Sequence, residues 1–116
     1  MSDNMTTVFL MGFRVSPLES SIMPEGMSGA YVRCYSGLEK FEDALNSAME
    51  KLQSDGLFPE EVLDPIHQMD SSEWSLHVDD NYYEHANSLP TQKEFVQAIE
   101  SGKVVYGPFG GYNQDL

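Results

Sequence analysis

Three histidines, one cysteine and a dense set of carboxylates are the side chains with chemistry to offer, and their spacing decides which chemistry. His67, His77 and His85 with Asp79, Asp80 and Glu84 are donor types that suit zinc or manganese. Their separations match neither HExxH nor the paired histidines of zinc fingers, so no metal site is assigned. Asp79-Asp80-Asn81 does not open a calcium loop, because Glu84 stands where the loop needs glycine and Pro90 where it needs glutamate. Cys34 shares its strand phase with Val32, which points it inward as a packed thiol and away from nucleophilic work. Neighbouring acids such as Glu60-Glu61 and Asp79-Asp80 face opposite ways on a strand and are solvated on a loop, which suits neither to acid/base catalysis. Gly107 to Tyr112 is rich in glycine, but no lysine follows and no helix begins there, so it reads as a C-terminal turn packing Phe109 and Tyr112. No catalytic residue and no cofactor is assigned, and the chain is read as a binding protein and not an enzyme.

Charge is the stronger signal. With 19 Asp and Glu against 6 Lys and Arg, the formal net charge is −13. Such a chain repels phosphate, which disfavours direct binding to nucleic acid or to an anionic membrane and favours a basic partner. Between Leu52 and Gln92 there is no Lys or Arg, yet Asp55, Glu60, Glu61, Asp64, Asp70, Glu73, Asp79, Asp80 and Glu84 all lie there. Trp74, Tyr82 and Tyr83 are interleaved with these acids. Aromatics offer area and cation–π contact to Arg and Lys, and the carboxylates steer them in. The candidate partner-binding patch is therefore Asp79, Asp80, Tyr82, Tyr83 and Glu84, flanked by Glu73 and Trp74 and extended by Glu60 and Glu61. The plainer reading is a solvated surface with Trp74 in the core; clustering without counter-charge is what favours the partner.

A chain of 116 residues has room for one core. A single cysteine forms no internal disulfide, which suits a reducing compartment. No basic, apolar leader opens the sequence and no run approaches the roughly 20 apolar residues of a membrane span, so the expected location is a cytoplasm. Met1 to Thr7 is expected to fray, and 8–116 to form a single α+β domain.

Val8 to Val15 carries apolar residues in both phases and reads as a largely buried strand. Ser16-Pro17-Leu18-Glu19 has the form of a capping box for a short helical turn, ahead of a loop with Met23, Pro24, Gly26 and Met27. Ala30 to Tyr35 alternates as a second, antiparallel strand. Ser36-Gly37-Leu38-Glu39 predicts the start of a helix with Leu38, Phe41, Leu45, Ala48, Met49 and Leu52 on one face, ended by Asp55-Gly56. Glu60 to Met69 is expected as a strand confined to an edge by Pro65. Trp74, Leu76 and Val78 alternate and predict a further short strand. Thr91-Gln92-Lys93-Glu94 caps a helix that Gly102 stops, and Val104 to Tyr106 forms a last strand. Together these predict an α+β fold with an antiparallel sheet and helices on one face, in a ferredoxin-like arrangement.

From Ala30 to Tyr112 this style, with its patterned helix and the stretch Ala98 to Phe109, resembles the small acidic immunity proteins of bacterial polymorphic-toxin and contact-dependent inhibition systems. The resemblance implies a protein that binds the basic toxic domain of a cognate effector, often a nuclease, and covers its active site. It carries no residue roles across. The alternatives are a nucleic-acid mimic regulating a DNA- or RNA-handling protein, a small-ligand or enzyme domain, and an oligomer joined through Tyr31 and Tyr35.

Overall fold

The computed structural model describes residues 7–18, 22, 28–37 and 40–112. Five antiparallel strands form one sheet: β1 (Thr7–Pro17), β2 (Gly29–Ser36), β3 (Leu57–Asp70), β4 (Val105–Tyr106) and β5 (Gly110–Tyr112). The order is β3-β1-β2-β4, with β5 pairing beside β4 on the same side of β2. Helices α1 (Phe41–Ser54), α2 (Trp74–Asn81) and α3 (Gln92–Glu100) complete the fold, with a 3₁₀ turn at Ser71–Glu73 and a 3₁₀ segment at Tyr83–Ser88.

The class is α+β, as the sequence predicts, but the helices lie on both faces of the sheet. Phe9, Met11, Phe13 and Val15 of β1 pack with Val32 and Cys34 of β2 against Ala44, Ala48 and Leu52 of α1. The opposite phase, Val8 and Leu10 with Tyr35, packs against Trp74 and Val78 of α2 and Phe95 and Ile99 of α3. A strand whose two phases are both apolar needs cover on both sides, and Val8 to Phe13 has that pattern. The connectivity is ββαβααββ, not the βαββαβ of a ferredoxin-like domain.

Three local expectations change. Trp74 to Val78 is helix, because Trp74 and Val78 stand four residues apart on its buried face while Leu76 is 64% exposed. Ser36 does not cap α1: it is the buried last residue of β2, and the helix starts after Lys40 without a side-chain cap. Ser16 and Pro17 start no helix. They extend β1, where Pro17 pairs only with Leu57 of β3, beyond the last β2 partner at Val15, so the missing N–H breaks no ladder with β2.

Other signals hold. The Thr91–Glu94 capping box is closed in both directions, and Gly56 and Gly102 follow α1 and α3 with φ of 79° and 78°. β3 is an edge strand holding Pro59 and Pro65, longer than expected at 14 residues. Phe109 does not pack into a core; it is 39% exposed and edge-on to Tyr106. Tyr35 is fully buried, which removes it from any oligomer contact, whereas Tyr31 is 49% exposed. The expected fraying of Met1 to Thr7 lies outside the described residues apart from Thr7, which begins β1, and so do Met23, Pro24, Gly26, Met27, Leu38 and Glu39.

Candidate functional site: an acidic ridge over a buried phenol

The ridge is built from α2 and the 3₁₀ segment after it. α2 is held down by Trp74, whose ring stacks on Phe95 at 4.1 Å and whose Nε1 donates to the Pro90 carbonyl at 2.8 Å. Gln92, the first residue of α3, fastens the same end: its Oε1 accepts from the Ser75 N–H and its Nε2 donates to the Ser71 carbonyl. One helix is thereby pinned to the other at its start, and the C-terminal turn of α2 is held by the buried Val78 and by His77, with Asp79 and Asp80 on its outer side.

That turn carries Asp79 and Asp80, both exposed, and no cation. A helix C-terminus already bears partial negative charge, so two aspartates there add to the dipole and cost stability. Glu73 at the start of α2 and Glu84 in the 3₁₀ segment are exposed as well. Between these acids Leu76 and Tyr83 stand 64% and 76% exposed. Glu73, Leu76, His77 and Asp80 share one helix face, and with Met69 they line a shallow groove of about 160 Å³.

Beneath the ridge lies a polar network that sequence reasoning missed. The Tyr35 hydroxyl is 2.7 Å from His77 Nε2 and donates to the Tyr82 hydroxyl at 3.1 Å. Burial, with the Tyr82 hydroxyl beside it, drives the Tyr35 phenol far above its ordinary range. His77 is pushed down, first by burial and then by the Arg33 charge, against the pull of Asp80 and Glu73. The signal that could have found it is the pairing of His77 with Asn81 at one helical turn, which only a helical reading of this segment brings together.

The predicted patch is thus divided. Glu73 and Asp80 line one groove, Asp79 is exposed in the same last turn, and Tyr83 and Glu84 are exposed in the 3₁₀ segment that follows directly. Tyr82 is half-buried and spent on Tyr35. Trp74 is 1% exposed and cannot touch a partner; it is the ridge's anchor. Glu60 and Glu61 do not extend the patch. Glu61 pairs with Arg14 at 3.2 Å and Glu60 accepts from Ser16 at 2.6 Å. Both stand near the start of β3, about 30 Å along an extended strand from Asp70 at its end.

Cys34 is fully buried, and burial pushes its thiol up to about 12, which leaves it no nucleophile. His67 and His85 sit apart from His77, exposed on β3 and in the 3₁₀ segment. Among the described residues no group of three or more His, Cys, Asp and Glu is gathered to hold a metal ion. Among the described residues no helix is long and apolar enough to cross a membrane. No family model, no curated protein and no solved structure matches this chain.

Proposed function

We propose that this chain is an acidic binding protein that captures a basic protein on the α2 ridge, in the manner of an immunity protein covering the active site of a cognate toxin domain. The observation that carries the reading is the placement of Asp79 and Asp80 at the negative end of α2 beside the exposed Leu76 and Tyr83. Acids set against the helix dipole lower the stability of the free protein, and a cationic partner turns that cost into attraction. Exposed Tyr and Leu flanked by carboxylates accept the apolar stems and charged heads of Arg and Lys. A nuclease cleft is lined with cations that hold phosphate, and these are the groups that exposed carboxylates attract. The reading includes a cytoplasmic location, supported by a lone, buried cysteine.

The test is affinity capture at low salt from nuclease-treated lysate, run in parallel with the native chain and with an Asp79→Asn, Asp80→Asn, Glu84→Gln variant. A basic domain retained by the native chain, released as salt rises, absent with the variant and inhibited by the native chain in its own activity supports the reading. Equal capture by both chains removes the ridge, and recovery of no basic protein removes the function.

A further inference from the structure

Helices α2 and α3 pack over the part of their sheet face that holds Val8, Leu10 and Tyr35. Farther along the same phase of β1 and β2 come Gly12, Arg14, Arg33 and Tyr31, none of them in that cluster. Gly12 pairs with Arg33 and Arg14 with Tyr31, so both arginines of this acidic chain lie on one face, diagonally across two strands. A groove of about 300 Å³ opens here, lined by Gly12, Tyr31, Arg33, Leu63 and Pro108. That volume is at the lower limit of small-ligand sites.

The two arginines differ. Arg14 Nε is 3.2 Å from Glu61 Oε1. Arg33 is half-buried, and among the described residues it has no carboxylate within 4.0 Å. Its guanidinium instead hydrogen-bonds the neutral Tyr35 hydroxyl, and its charge falls on Tyr35 and His77. A partly desolvated cation without a counter-ion is expensive in any protein; in a chain with a net charge of −13 it is conspicuous, since acids to pair it were plentiful.

We propose that this groove binds a small aromatic monocarboxylate, with the carboxylate on the Arg33 guanidinium and the ring between Tyr31, Leu63 and Pro108. A guanidinium matches a carboxylate through two parallel hydrogen bonds. The exposed Tyr31 ring and the apolar Leu63 and Pro108 offer a flat body its contact area. One negative charge suits the site better than two, because the surrounding negative field repels a dianion more strongly. Gly12 leaves room for the ring: a Cβ there would stand 3.6 Å from Leu63, an ordinary contact, so a longer side chain at this position would be tolerated by the backbone and would occupy the groove.

The probe is sodium benzoate, added to the full chain in a ¹H–¹⁵N NMR titration at constant ionic strength, with benzamide as its neutral counterpart. Benzoate should give saturable shifts centred on Gly12, Tyr31, Arg33 and Gly110 with an apparent Kd of about 1–10 mM, as expected of so small a ligand. Benzamide and the Arg33→Gln variant should each weaken binding about tenfold, and Gly12→Leu should abolish it while Gly12→Ala binds nearly as the native chain does. The same spectra report whether each variant is folded, and Arg33→Lys should recover part of the affinity. Equal shifts from benzoate and benzamide, shifts unchanged by Gly12→Leu, or no saturation by benzoate would overturn the proposal. None of these outcomes depends on the acidic ridge.

Discussion

The hydroxyl of Tyr35 lies 2.7 Å from Nε2 of His77, joining the middle of the sheet to the helix that carries the acidic ridge. The proton order along this contact follows from its neighbours. Asn81 Nδ2 donates to the His77 carbonyl at 3.0 Å, which fixes the amide orientation, and the same nitrogen is 3.3 Å from His77 Nδ1. Nδ1 therefore accepts and Nε2 carries the proton, an assignment made from the network. His77 then donates to Tyr35, and Tyr35 donates to Tyr82.

Tyr35→Phe tests this chain of bonds. The ring contacts to Trp74 and Phe95 would persist, while the His77 N–H and the Tyr82 hydroxyl would both lose a partner. Urea denaturation should show a loss of about 1–3 kcal/mol, the usual cost of a buried group left unsatisfied. Tyr82→Phe should cost less, because Tyr82 is half-buried and water can take its place. Equal, negligible losses would mean that the network contributes nothing to the fold.

His77 gives stability a pH dependence of known sign. Its folded proton affinity lies below the ordinary 6.5, burial being the first cause. Below that value the unfolded chain takes up a proton before the folded one does, so stability falls as pH drops from 6.5 toward the depressed folded value. Above 6.5 the contribution is fully present. His77→Gln should flatten the stability profile over that acidic window, measured by urea midpoints at successive pH values. A profile as steep as the native one would assign the slope to other groups.

The fold was legible wherever one local signal had no rival. Thr91 caps α3 and Gly102 ends it as the sequence predicts. Trp74, Leu76 and Val78 misled because positions four apart satisfy both a strand of period two and one face of a helix; Leu76 alone discriminates, and one residue is too few. Ser36-Gly37-Leu38-Glu39 has the letters of a capping box, but pairing with Phe9 of β1 claims Ser36 for the sheet, and long-range pairing outweighs a cap. For the site, the acids near Asp79 were visible as composition. The loss of Trp74 to the core and of Glu61 to Arg14 depends on which strand lies beside which, and spacing does not encode that.

Trp74 and Tyr83 should separate cleanly when replaced by alanine. Tyr83 is 76% exposed, so Tyr83→Ala should leave stability within about 0.5 kcal/mol and weaken capture of the basic partner by tenfold or more. Trp74 is 1% exposed and stacked on Phe95, so Trp74→Ala should cost about 3–5 kcal/mol and disturb binding only through the fold. Thermal melts beside a binding titration would show it. Weakened binding without lost stability at Trp74 would return that residue to the interface.

Cys34 offers a probe of whether the two cores open together. The thiol is fully buried, raised to about 12, and paired across β2 with Met11 on one side and Tyr106 on the other. A thiol-directed reagent at neutral pH should therefore react only through opening of the sheet centre. The thiol belongs to the α1 core, whereas the Thr91 cap supports α3 and the opposite core. Both cores hang on β1 and β2, so a loss on one side should loosen the other. Thr91→Ala, at about 1 kcal/mol, should speed Cys34 alkylation about fivefold if the sheet and both helical layers unfold as one unit. An unchanged rate, with the same variant destabilised in urea, would show that α3 detaches while β1, β2 and α1 remain folded.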